Sequence, residues 1–314
     1  MRRWFLLLVL LAGLGITPLA SGACVTGDEL LGHPELKTRS MVFRDYEIRF
    51  YGNPSCEAEP ESRIAGFEIL KAGKRVYMRT GYSFAPGYAL DQDQPPDSVK
   101  LKAGDDISGE GVPELLISEW SGGSHCCYSF HLFRLGDEFK RIQSIPLFDA
   151  DESAFVRRPG IKGLVLDSAD YSAFAYFPAG FAGSPAGRVL LSFQQGRFRL
   201  DLGLMKADAP AKGAIDKCAA LFKKSRDWRD GQPMGMWYYA TDLIYTGNEP
   251  QALTFLDKSW GGSAADREKY LGEYEKHLSK SIYYPQLKLL QELGPSAADQ
   301  KIDWTKQCFE YLRG

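Results

Sequence analysis

From about residue 42 to residue 202, apolar and polar positions alternate in short runs, among them Tyr46–Tyr51 and Arg75–Arg79, separated by clusters of Gly, Pro, Asn and Asp. A period of two marks strands with one face in a core, and those clusters supply the turns. Three segments echo one another: FEILKAGKRVYMR (67–79), FHLFRLGDEFKRI (130–142) and VLLSFQQGRFRLD (189–201) each read as strand, glycine turn, strand. Their turn glycines, Gly73, Gly136 and Gly196, are 63 and then 60 residues apart. That period suits propeller-like blades, but three units are too few to close a ring that normally takes about 4–8. Three ordinary hairpins in a sandwich or mixed sheet is the other reading.

Beyond this the pattern changes. Met205–Gly213, with KADAPAK at its centre, has the composition of a linker. Ile215, Cys218, Ala219 and Phe222 then recur at helical spacing within Ile215–Lys224. Met236–Tyr245 and Ala252–Trp260 predict a helix pair around Gly247-Asn248, with Pro250 opening the second. This pair resembles one tetratricopeptide unit, but a single unit cannot bury its own face, so a bundle is expected. Ser263-Ala-Ala-Asp266 predicts the start of a helix over Lys269–Lys280, and Ser296-Ala-Ala-Asp299 repeats the device before Trp304–Leu312. The expected fold class is therefore α+β. A β-rich body at 24–204, a sandwich or a partial propeller of hairpin units, leads through a linker at 205–213 to a helical bundle at 214–314.

The first residues predict export. Arg2 and Arg3 precede the apolar stretch Trp4–Ile16, and Ala20, Ser21, Gly22 and Ala23 offer a cleavage site before Cys24. The stretch is short for a spanning helix, which needs about 20 residues. Residues 1–23 are thus read as a signal peptide and the product as periplasmic or extracellular. An outer-membrane lipoprotein anchored at Cys24 is the minority alternative, because Ser21 stands where a lipoprotein signal wants Leu. Cleavage leaves 314 − 23 = 291 residues and moves the net charge from −2 to −4, since two arginines and no acids are lost. Charges of both signs are scattered. There is no strongly basic face for nucleic acid, no polybasic run for an anionic membrane and no later apolar span.

Six cysteines, an even number in an exported chain, read first as disulfides. The candidates are Cys56 with Cys126 or Cys127, the vicinal Cys126/Cys127 pair, and Cys218 with Cys308 as a staple of the helical part.

The most informative stretch is Gly104–Phe133, GDDISGEGVPELLISEWSGGSHCCYSFHLF. Asp106, Ser108, Glu110 and Glu114 place oxygens at positions 1, 3, 5 and 9, with Gly111 at position 6. A calcium loop needs this alternation, because a hard cation takes six to eight oxygens and the chain must turn sharply to point alternate residues inward. The segment resembles the FG-GAP/VCBS class of calcium loops found in integrin α-chain propellers and bacterial surface proteins. With SGGSHCC behind it, the run at 95–205 also resembles a set of uncharacterised exported bacterial proteins. The resemblance implies Asp106, Ser108, Glu110 and Glu114 as ligands, the carbonyl of Val112 as another, and calcium as cofactor. Ser at position 3 and Glu at positions 5 and 9 depart from the usual Asp or Asn, and the alternative is a loop that only turns the chain into a strand.

His125, Cys126 and Cys127 suggest a thiol or metal site. Alternation puts His125, Cys127, Ser129 and His131 on one strand face and Cys126 on the other, and a tetrahedral site wants more ligands than this stretch supplies. No G-x-S-x-G, P-loop, H-E-x-x-H or dinucleotide fingerprint occurs. The pairs Asp149/Asp151 and Asp167/Asp170 are candidates for acid–base work, and the aromatics of Tyr171–Phe181 for a glycan or peptide groove; solvated turns and core packing are the bland alternatives. The leading expectation is a non-catalytic envelope protein that binds an unknown partner or ligand. An envelope-polymer hydrolase is the runner-up, to be favoured by a deep pocket uniting distant carboxylates. A thiol- or metal-handling protein is the third.

Overall fold

The structure, a computed structural model, describes residues 31, 36–52, 64–88, 95–123, 126–178, 180–229, 232–294 and 301–313, without the side chains of Ile64, Cys126 and Arg229. The expectations on the signal at 1–23, on Cys24, Cys56 and His125, and on the helix start at Ser296–Asp299 lie outside these residues, as does the side chain of Cys126.

Among the described residues, twelve strands form three four-stranded antiparallel sheets. The first runs β1 (Lys37–Phe43), β2 (Tyr46–Gly52), β3 (Ile64–Lys71), β4 (Lys74–Thr80). The second runs β5 (Ser83–Pro86), β6 (Glu114–Gly123), β7 (Cys126–Leu135), β8 (Phe139–Phe148). The third runs β9 (Ala154–Val156), β10 (Val165–Asp170), β11 (Gly187–Gln194), β12 (Arg197–Leu200). Every strand pairs with its neighbour in sequence, so each sheet is a meander. The echo in the sequence is the last hairpin of each: Gly73, Gly136 and Gly196 all lie between the third and fourth strands of their sheets.

The alternation of β6 shows how the sheets stack. Leu115 and Ile117, fully buried, join Phe133 and Leu135 against Ile48, Phe50, Phe67 and Ile69 of the first sheet. Leu116 points the other way and, with Phe130, Leu132 and Ile145, packs with Phe155, Leu166, Val189 and Phe198 of the third. The middle sheet is apolar on both faces because it has a neighbour on both, and each buried side chain of this size contributes about 1.5–3 kcal/mol.

Helices follow at α1 (Leu202–Met205), α2 (Lys212–Lys223), α3 (Met234–Tyr245), α4 (Glu249–Ser259), α5 (Ala264–Leu278), α6 (Tyr284–Glu292) and α7 (Trp304–Tyr311). α2 buries Ile215, Cys218, Ala219 and Phe222, the four positions that the helical spacing singled out. α3 is buried nearly all round, with Met236, Trp237, Tyr239, Ala240 and Leu243 inaccessible, as a helix at the centre of a core must be. The Ser263 hydroxyl accepts the Asp266 N–H at the start of α5, and the Asp303 carboxylate accepts the Lys306 N–H at the start of α7. Cys218 and Cys308 are joined, stapling α2 to α7.

The stretch 205–213 behaves differently from its composition. Met205 and Ala207 are buried in the same apolar cluster as the third sheet and the helices. The Lys206 ammonium donates to the Gly247 carbonyl (2.7 Å), and the Trp304 indole donates to that of Asp208 (3.0 Å). Small alanines and a lysine stem can line a core while reading as polar. The boundary is a change of secondary structure, with one core running through it. Asp170, at the end of β10, is buried and receives the Tyr245 hydroxyl (2.7 Å), the Ser281 hydroxyl and the Ser172 amide (2.9 Å). It is a fully engaged anchor between sheet and helices. Among the described residues no helix is long and apolar enough to cross a membrane.

Candidate functional site

The loop that carries the calcium-like spacing, 105–114, is closed by protein donors. Left-handed glycines at 109 and 111 (φ +79 and +75) fold it back. Gly109 also lies against Gly163, where a Cβ would come within 2.4 Å of backbone. One Asp106 oxygen accepts the Gly109 amide and the other the Gly111 amide, each at 2.9 Å. Glu110 is held by the Arg134 guanidinium. Glu114, completely buried, accepts the amides of Ile107 (3.0 Å) and Ser108 (2.7 Å) on Oε2, while Oε1 has no hydrogen-bond partner and faces Arg134 at 3.6 Å. Burial pushes the Glu114 carboxyl up, against those hydrogen bonds and Arg134, which pull it down. A calcium ion would share the Asp106 oxygens with two amides and compete with a guanidinium for Glu110. Among the described residues no group of three or more His, Cys, Asp or Glu is placed to hold a metal ion. As folded, the loop's carboxylates are held by the protein's own donors. Leu164 donates its amide to the Ile107 carbonyl (2.9 Å), so the loop ties the second sheet to the third.

Behind it, Cys127 is disulfide-bonded, which removes one of the two thiols that a thiol site would use. His131 is buried and bridges Glu119 (2.6 Å) and Ser144 (2.7 Å). Burial works to raise the Glu119 carboxyl, but hydrogen bonds from His131 and Arg79 outweigh it and hold it below the usual range. A carboxylate only accepts, so Nε2 of His131 carries the proton toward it. The order Ser–His–Glu imitates a catalytic triad, but the Ser144 hydroxyl also receives Arg141 (3.0 Å) and none of the cavities described below is lined by these residues. The chain is a polar strut across β4, β6, β7 and β8.

The cavities lie elsewhere. Two adjoining spaces, of 560 and 620 Å³, open between the third sheet and the helices and share Arg188, Asp242 and Gln307. From the sheet side, Asp167 on β10 holds Arg188 of β11 through two hydrogen bonds, one of 2.8 Å, and Arg158 at 2.9 Å. From the helical side, Asp242 on α3 receives the Tyr311 hydroxyl (2.5 Å) and the Gln307 amide, both on Oδ2. Burial pushes the Asp242 carboxyl up to about 6, opposed by those two donors and by Arg188. Gln307 thereby turns its Oε1 inward, where it is buried and has no hydrogen-bond partner. Tyr171 and Tyr311 are further lining residues of the larger space, and Tyr311 is in ring contact with Tyr238 (5.7 Å).

Of the carboxylates singled out in the sequence, Asp151 and Asp167 line this cleft and Asp170 does not. Arg158, Arg188, Asp242, Gln307 and Tyr311 were missed. One signal was present: Asp242 is the only charged residue in the helix MGMWYYATDLIY, and a lone carboxylate within so apolar a segment needs either a partner or a cavity. No family model matches this chain, and no curated protein and no solved structure matches it either.

Proposed function

We propose that this is a non-catalytic, exported binding protein of the cell envelope, and that its ligand occupies the cleft between the third sheet and the helices. The observation that carries the reading is the pair of adjoining cavities joined at Arg188, Asp242 and Gln307, built from both parts of the fold. Each has the size of a small-molecule site, about 300–1,000 Å³, and a few polar groups converge on it. Export is supported by the signal-like first residues and by the Cys218–Cys308 bond, which suits an oxidising compartment. The test is a thermal-shift screen of small metabolites and envelope fragments. A true ligand at a hundredfold excess over Kd stabilises by about 2.7 kcal/mol, and Arg188→Ala and Gln307→Ala should each reduce that gain. Stabilisation that neither substitution alters would place the ligand elsewhere.

The cleft also favours the hydrolase as a second reading, because it unites distant carboxylates. Asp242, titrating near 6, stands in one cleft with the ion-paired Asp167, and an acid–base pair needs two carboxyls held in different protonation states. Release of soluble fragments from purified envelope polymers, abolished in Asp242→Asn, would establish it over simple binding.

A further inference from the structure

We propose that the cleft selects a zwitterion, a small molecule with an ammonium at one end and a carboxylate or phosphate at the other. This rests on the cleft being the ligand site. Its two spaces differ in sign. Among the described residues, the larger is lined by Asp97, Asp151, Glu152, Asp167 and Asp242 against one cation, Arg188. The smaller is lined, among the same residues, by Arg158, Arg188 and Lys301 against one carboxylate, Asp242. The ion pairs of Asp167 run across the wall between them, since Asp167 lines only the acidic space and Arg158 only the basic one.

Asp167 and Asp97 already pair with Arg158 and Arg188, which leaves Asp151 and Glu152 on one side and Lys301 on the other without an ion pair among the described residues. A ligand that spans both spaces therefore gains at both ends only if it carries both signs in the matching order. Gln307 lines both spaces, so a ligand that spans them passes its side chain at the junction.

The experiment is isothermal titration of the full chain, disulfide intact, with four probes: 6-aminohexanoate, phosphoethanolamine, hexylamine and hexanoate. At least one zwitterion is expected to bind about tenfold or more tighter than either singly charged probe; which one distinguishes an amino-acid or peptide source from a phospho-headgroup. Asp151 and Lys301 are exposed, so their variants should fold. Asp151→Asn is expected to weaken the zwitterion and hexylamine but not hexanoate, and Lys301→Gln the zwitterion and hexanoate but not hexylamine. Hexanoate or hexylamine binding as tightly as both zwitterions, with the matching variant weakening it, overturns the zwitterion and leaves the cleft as a site. Zwitterion binding that is unchanged in Asp151→Asn, Lys301→Gln and Arg188→Ala overturns the cleft itself. No binding of either zwitterion also overturns the proposal.

Discussion

The loop at 105–114 and the cleft between sheet and helices are both rich in carboxylates, yet they sit at opposite ends of a scale. In the loop, Asp106, Glu110 and Glu114 lie within nine residues, and their oxygens are turned onto the loop's own amides and onto Arg134. In the cleft, Asp151, Asp167 and Asp242 come from distant parts of the chain and line a cavity. Local spacing builds closure, because residues a few positions apart can satisfy each other within one turn. Convergence from afar builds openness, because elements that meet at an angle leave space between them. A motif recognisable in sequence is thus here the less available of the two.

The comparison can be tested from its strongest dependence downward. The cleft relies on the Cys218–Cys308 link, since α7 carries both Gln307 and Tyr311. Closing a separation of 90 residues contributes about 4–5 kcal/mol in the chain-entropy model. Cys218→Ser is expected to lower the urea midpoint accordingly and to weaken ligand binding, an effect that reductant should reproduce in the native chain.

Next, the two sets of carboxylates should respond oppositely to neutralisation. Glu114→Ala leaves two buried amides without an acceptor and Arg134 with Glu110 as its remaining charge partner, at a cost of about 3 kcal/mol. Asp151→Asn, on the exposed rim of the cleft, should change stability by less than about 0.5 kcal/mol. Equal losses in denaturant unfolding would erase the distinction between closed and open.

Asp242 gives the comparison a pH dependence. Burial is the main cause that raises its carboxyl from 3.8 to about 6, so the folded state holds the proton more tightly than the unfolded chain does. Stability is therefore greatest below the unfolded value and falls as pH rises through about 6, by something on the order of 2–3 kcal/mol. Asp242→Asn can keep both hydrogen bonds through its amide oxygen. It is expected to match the native protein near about pH 4 and to exceed it at about pH 8, read from unfolding curves at the two values. The smallest effect belongs to the loop. Calcium against chelator should shift stability by less than about 0.5 kcal/mol, because Asp106 and Glu110 already hold protein donors; a gain approaching the ~2.7 kcal/mol of a saturated site would show that the ion binds alongside or in place of them.

Much of the architecture could be read from local pattern. Alternation located the hairpins, the repeated Gly73, Gly136 and Gly196 marked equivalent turns, and the spacing of Ile215, Cys218, Ala219 and Phe222 marked the inner face of α2. The Cys218–Cys308 bond followed from cysteines placed on the first and last helices expected. What pattern could not give was stacking. Met205 and Ala207 read as linker because composition does not know what lies above it, and Arg158, Arg188 and Gln307 look like ordinary surface residues until β10, β11, α3 and α7 bring them to one place.

The meander order of the three sheets has a further consequence, for the sequence of events in folding. Pairing each strand with its neighbour closes only short loops, and such contacts form early. Bringing Asp97 into one cavity with Gln307 closes 307 − 97 = 210 residues, and that contact is made only after the sheets and helices it joins exist. Competence to bind should accordingly lag behind secondary structure when the chain refolds, so that an occupied cleft certifies a finished molecule.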